Sequence, residues 1–200
     1  MGLSVKLRND LSRIHQHVGP SSRPIATALR AVELMTIVLE DRRFFRHAGI
    51  DAQSIARETI RAFTWRKFGG ASTIDMQFVR TATGYKKNTM GRKLYELFLA
   101  KVIQSRYGKL EILRSYLACA FFGSGLIGAD MAAQKMFGKN AEELGLEEAS
   151  LIAAMLACPR PLNGSPGWEL KVRRRAAYGM KVYGSRRQSF TGPYELASVE

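Results

Sequence analysis

Glu40-Asp41-Arg42-Arg43-Phe44-Phe45-Arg46-His47-Ala48-Gly49-Ile50-Asp51 is the stretch from which the rest of the chain is read. It closes an apolar run, Ile25 to Glu40, in which Leu29, Val32, Met35 and Leu39 recur at helical spacing. Ser22-Arg23-Pro24 is a start signal, a capping hydroxyl followed by a proline inside the first turn. The spacing predicts a largely buried helix that delivers Glu40 and Asp41 into a loop near Gly49. A Glu at the end of an apolar helix is a candidate general base. The alternative is a surface ion cluster of Glu40 or Asp41 with Arg42, Arg43 or Arg46, contributing about 0–1 kcal/mol. His47 alone reads more readily as a hydrogen-bonding loop residue than as a catalyst.

Helical period continues on both sides. Residues 1–22 are polar and basic and read as a loose N-terminal arm. Asp51 is placed to cap a second helix reaching about Phe63, followed by a basic, aromatic, Gly-rich loop from Thr64 to Ala71. Ser72 or Thr73 opens a further helix through Val79, and residues 81–89 read as a polar, mobile connection. Helices follow over about Met90 to Tyr107, Leu110 to Phe122, 129–137, from Leu146 to before Pro159, and Trp168 to Tyr183. The tail, 185–200, is polar and reads as frayed. No two-residue alternation and no internal repeat appear, so the expected fold class is mainly α, with one domain over 23–184.

Two hundred residues, 46% of them hydrophobic, suffice for a sizeable core. Lys and Arg number 31 against 17 Asp and Glu, a formal charge of +14, so the surface attracts polyanions. Nucleic acid, anionic lipid head groups and phosphorylated substrates all fit that charge. Cys119 and Cys158 are far apart, form no metal spacing and read as buried free thiols. No stretch approaches ~18 apolar residues, and the N-terminus lacks the apolar region of a signal peptide. The chain is expected to be soluble or peripherally membrane-bound.

Three further constellations carry chemistry. Gly69-Gly70-Ala71-Ser72-Thr73-Ile74-Asp75-Met76-Gln77 puts glycines before a hydroxyl-led helix start, where backbone N–H groups suit phosphate or sugar oxygens. It lacks the G-K-[ST] of a phosphate-binding loop. Arg92-Lys93-Leu94-Tyr95-Glu96 sets Arg92 and Lys93 four and three residues before Glu96, on one helix face. It is either an exposed salt bridge or a cationic face for a phosphate leaving group. Trp65, Arg66, Lys67, Phe68, Arg80, Tyr85, Lys86 and Lys87 interleave cations with aromatics, which suits nucleic acid or an anionic membrane.

Together these pieces resemble glycosyltransferase family 51, the peptidoglycan glycosyltransferase (transglycosylase) domain of penicillin-binding proteins. Glu40-Asp41 through Phe44, His47 and Gly49 is similar to its E-D-x-x-F-x-x-H-x-G motif. Gly70 to Gln77 is similar to G-[GA]-S-T-I-T-Q-Q, and Arg92-Lys93-Leu94-Tyr95-Glu96 to R-K-x-x-E. Glu111 to Leu117, the Gly123 to Gly125 turn and Ala132 to Lys139 are similar to the fourth segment, and Leu146 to Pro161 to the one that follows. The resemblance spans about residues 24–183. It implies a lysozyme-like helical domain with a small mobile lobe, acting on lipid II at the periplasmic face of the bacterial inner membrane. It implies that Glu40 is the general base and Glu96 a second catalytic carboxylate. Asp41, Phe44, His47, Ser72, Thr73, Gln77, Arg80, Arg92 and Lys93 would bind substrate. Lipid II, the nascent glycan strand, an anionic membrane surface and a transpeptidase or other cell-wall protein are the implied partners, with no nucleic acid. A divalent cation, Mg or Mn, is common in the family. Departures are Asp75-Met76 for Thr-Gln, Val102 and Gln104 for a basic residue and a Glu, and Ala118 for Asn. They motivate the alternative of a degenerate, non-catalytic protein that binds lipid II or glycan.

Overall fold

The computed structural model describes residues 3–18, 28–56, 72–85, 89–186 and 189–197. In chain order the helices are α1 (Leu3–His17), α2 (Ala31–Glu40), α3 (Ile74–Thr83), α4 (Met90–Gln104), α5 (Lys109–Cys119), α6 (Ala129–Phe137), α7 (Leu146–Met155) and α8 (Pro166–Ser185). Short 3₁₀ turns stand at Phe44–Arg46 and Ala141–Glu143. The described residues are mainly α. They form two compact units, Met1–Pro20 with Arg43–Tyr116, and Ser21–Arg42 with Leu117–Glu200.

In the first unit α3 packs on α1 and α4. Phe44, Ile74, Phe78, Val79, Leu99, Ile103, Ile112 and Leu113 are buried there. Thr73 caps α3 by accepting the Met76 N–H at 3.3 Å, and Thr89 caps α4 by accepting that of Arg92. Of the two hydroxyls expected to open α3, Thr73 is therefore the cap. The helix runs four residues past Val79 and stops where Gly84 takes a left-handed φ of 70°. Asp51 caps the helical residues 52–56 as expected, its Oδ1 accepting the N–H groups of Gln53 and Ser54. The expected extension to Phe63, the Gly-rich loop 64–71 and Lys86 and Lys87 lie outside the described residues.

The expected loose arm is the helix α1. It carries enough apolar side chain to dock: Ile14 and Val18 are buried. Asp10 is buried as well, and its Oδ2 accepts from the hydroxyls of Tyr85 and Tyr95, the latter at 3.0 Å. The Lys6 ammonium lies 4.0 Å from the centre of the Tyr95 ring, a cation–π contact.

In the second unit α2 packs on α7 and α8, which also pack on each other. α7 offers Ala149, Ala153 and Ala154, small enough for close approach, and α8 brings Gly179 against Leu39 and Met35 of α2. A Cβ at 179 would stand 2.9 Å from Leu39 Cδ2 and 3.1 Å from Met35 Cε, so a larger residue there would make these side chains shift. α2 begins at Ala31, and the described residues 28–30 before it are not helical; Ser22-Arg23-Pro24 lies outside the described residues. Leu29 instead pairs with the chain end, donating its N–H to Glu195 O at 2.6 Å and accepting that of Ala197 at 2.7 Å. That pairing, with Phe190 buried, ties down the described residues 189–197, where a frayed tail is expected. A hairpin of β1 (Phe121–Gly123) and β2 (Leu126–Ile127) also appears, its strands too short to print an alternation in the sequence. Cys119 and Cys158 form no disulfide and are half-buried; burial pushes the Cys119 thiol up to about 11.

Candidate functional site

Glu40 ends α2 in the second unit, where its carboxylate is held by α8. Arg175 Nη2 donates to Glu40 Oε1 at 2.7 Å and to the Leu39 carbonyl at 3.2 Å. The Glu40 side chain is 12% exposed, reached by solvent yet fixed by the Arg175 guanidinium. Asp41 follows and is buried, its N–H closing α2 onto Ile37 O. Arg42 Nη2 donates to the Tyr178 hydroxyl at 2.6 Å. Glu40 takes its cation from α8, 135 residues away.

The rest of the acidic loop belongs to the first unit. Asp51 anchors it. Its Oδ2 accepts the Ser54 hydroxyl at 2.6 Å and faces Arg43 Nε at 3.2 Å. Burial pushes this carboxyl up, but the Ser54 hydrogen bonds and the Arg43 guanidinium prevail and hold it below the ordinary carboxylate range. Gly49 takes φ 84° and its Cβ would meet Ala100 O at 2.5 Å, so only glycine lets the loop lie on α4. The Thr73 hydroxyl donates to Gly49 O at 2.8 Å. Phe44 is fully buried and packs edge-on against His47, with centroids 6.3 Å apart.

The cationic corner is also in the first unit. Glu96 is 0% exposed, and Arg80 grips it at both oxygens, Nη2 to Oε2 at 3.1 Å and Nε to Oε1 at 3.3 Å. Arg92 Nη1 adds an ion pair at 3.4 Å and donates to Tyr85 O at 3.2 Å. Two guanidinium groups on one carboxylate leave a surplus positive charge. Lys93 is exposed. Three residues turn a helix by 300°, so Lys93 falls toward the outer face that Met90 and Leu94 share. Ser72 is half-buried, and Gln77 Oε1 accepts the Tyr116 hydroxyl at 2.6 Å. Met76, a departure from the motif, is core: it is buried in α3.

Two residues that the sequence reading passed over carry much of this geometry. Arg175 read as part of a basic surface, Arg173 to Arg175. The signal was its place three residues after Val172 and four before Gly179, on the buried stripe of α8. Lys109, first in α5, donates to Asp75 at 3.0 and 3.4 Å and stands 4.3 Å from the Phe44 ring centre. A His47 ring nitrogen and an Asp75 oxygen lie within 4.8 Å of each other. That spacing suits a divalent cation, and the Asp75 carboxylate there also holds the Lys109 ammonium.

A family model described as Transglycosylase matches residues 11–181. Penicillin-binding protein 1A of Aquifex aeolicus (strain VF5) is 36% identical over 140 residues, which are 70% of this chain and 19% of that protein. Penicillin-binding protein 2a of Streptococcus pneumoniae serotype 2 is 36% identical over 139 residues, again 70% and 19%. Penicillin-binding protein 1A of Rickettsia bellii is 33% identical over 156 residues, 76% of this chain and 20% of the relative. The chain thus spans about a fifth of the length of the curated relatives it matches. With a match over most of its length and the motif residues in order, the chain belongs to the transglycosylase family.

Proposed function

We propose that this glycosyltransferase polymerises lipid II at a membrane surface, by inverting transfer with release of polyprenyl pyrophosphate. Glu40 accepts the proton of the 4-hydroxyl of the acceptor N-acetylglucosamine. The freed oxygen bonds to C1 of the donor sugar as the bond from C1 to the pyrophosphate oxygen breaks. Charge then develops on the pyrophosphate, where fixed cations stabilise it more than they stabilise the ground state. Arg80 and Arg92, held on Glu96, and the exposed Lys93 are those cations. The observation that carries the reading is that each of the two motif carboxylates is fixed by guanidinium groups, Glu40 by Arg175 and Glu96 by Arg80 and Arg92.

A membrane partner is supported by α4. Met90, Leu94 and Phe98 recur four residues apart and are 75%, 63% and 49% exposed, beside the exposed Lys93 and Lys101. An apolar stripe flanked by lysines suits an anionic lipid surface. Among the described residues no helix is long and apolar enough to cross a membrane.

The second reading, a binding protein without turnover, is motivated by Asp75 and Ala118 at positions where the motifs carry Thr and Asn. The purified chain, given lipid II in detergent beside its Glu40→Gln variant, separates the two. Polymer from the unaltered chain alone supports the transferase with Glu40 as base. Binding of lipid II without polymer from either supports the second reading, and polymer from the variant overturns the base assignment.

A further inference from the structure

We propose that Asp75 and Lys109 are positioning residues of the transferase, an ion pair that fixes Phe44 and His47 of the acidic loop without itself touching substrate. The inference rests on the transferase reading above.

Asp75 lies in the first turn of α3 and is 0% exposed. Both of its oxygens receive the Lys109 ammonium, at 3.0 and 3.4 Å. The same ammonium lies 4.3 Å from the centre of the buried Phe44 ring. Phe44 packs edge-on against His47, at 77° between planes, and a His47 ring nitrogen comes within 4.8 Å of an Asp75 oxygen. One ammonium therefore joins the start of α3, the start of α5 and the loop that follows Glu40.

Stability does not account for this pair. Removing two charges from water costs much of what their attraction returns, and an apolar pair of equal volume often serves a core as well. Lys109 also stands at the N-terminal end of α5, where the helix dipole disfavours a cation. Asp75 occupies a position where the motif it resembles carries Thr, so the carboxylate is a property of this chain rather than of the motif. A threonine there would leave the Lys109 ammonium without this carboxylate. What the pair secures is the orientation of two aromatic rings, four and seven residues after the base. Catalysis depends on such placement far more steeply than folding does.

The test uses the full chain with Asp75→Asn, Lys109→Met and both together, with polymerisation of lipid II resolved into kcat and KM and Tm measured alongside. Asp75→Asn keeps the side-chain shape but leaves a part-buried ammonium unpaired, so its Tm is expected to fall, and the double variant, which removes both charges, is expected to recover part of that loss. The expected result is a fall in kcat of about 10- to 100-fold in each single variant, with KM held within about twofold. The double variant is no worse than the poorer single one, because both remove one interaction. Lys109→Arg, which keeps a cation over the ring, restores a large part of kcat. An unchanged kcat in Asp75→Asn, or a change in Tm alone, overturns this inference and leaves the transferase reading standing. No polymer from the unaltered chain overturns both.

Discussion

Arg175 does for Glu40 what no neighbour in sequence does: it supplies a fixed cation at 2.7 Å. Arg175→Met removes the fork while keeping much of the stem that packs on α2. It is expected to lower kcat about 10- to 100-fold through misplacement of the carboxylate. Its Tm should shift by only a few degrees, since the guanidinium is partly exposed and worth about 1 kcal/mol to the fold. Steady-state kinetics beside calorimetry checks both halves, and an unchanged kcat sinks the positioning role. Asp51 carries the pH dependence at this scale. Its folded carboxyl is held below its unfolded value, so its contribution is present in full above the unfolded value of about 4 and is lost as pH falls through the lowered one. Asp51→Asn is expected to cost about 1–3 kcal/mol at pH 7. The gap between variant and unaltered chain should close in acid. A gap that stays constant down to pH 2 would refute the assignment. Both residues sat in the sequence in plain view, but only Asp51 announced its job. A cap is decided by the next three residues, whereas the partner of Glu40 lies 135 positions on.

Elements show the same division. The helical period located most of the helices to within a few residues, because burial of one face imposes it. α1 escaped, since its polar composition hides two short contacts: an apolar edge at Ile14 and Val18, and a carboxylate shared by two tyrosines. The Tyr95 hydroxyl is pushed up to about 12, by burial first and then by its bond to Asp10. Its contribution is therefore complete below the unfolded value of about 10 and is lost as pH rises through 12. Asp10→Ala is expected to cost about 1–3 kcal/mol by removing that acceptor. It should also flatten the alkaline limb of the stability curve and admit protease to residues 3–17. Circular dichroism against pH, with limited proteolysis, reads both, and an unaltered alkaline limb would place the anchorage of α1 elsewhere. The hairpin and the pairing of Leu29 with Leu196 escaped for another reason. Strands of two or three residues leave no period to read, and the second pairing spans 167 positions.

For the molecule as a whole, the charge of +14 and the α4 stripe together predict how the chain meets a membrane. Vesicles rich in anionic phospholipid should bind it and neutral vesicles much less, with affinity falling as salt rises past about 0.15 M. Leu94→Glu with Phe98→Glu should weaken binding about tenfold or more by placing charge where apolar surface inserts. Cosedimentation at two salt concentrations measures this, and equal binding by the double variant would show that charge alone suffices. The sequence by itself determined the family, the mainly α class and the two motif carboxylates. These follow from local rules: period, capping, turn chemistry and motif order all act over a few residues. The tertiary structure decided which cation each carboxylate meets, that Lys93 is exposed where Arg80 is engaged, that Met76 is core, and that Asp75 pairs with Lys109. Those outcomes depend on which side chains from distant segments fill one space. Burial makes each unpaired charge costly enough that a partner must be found across the fold.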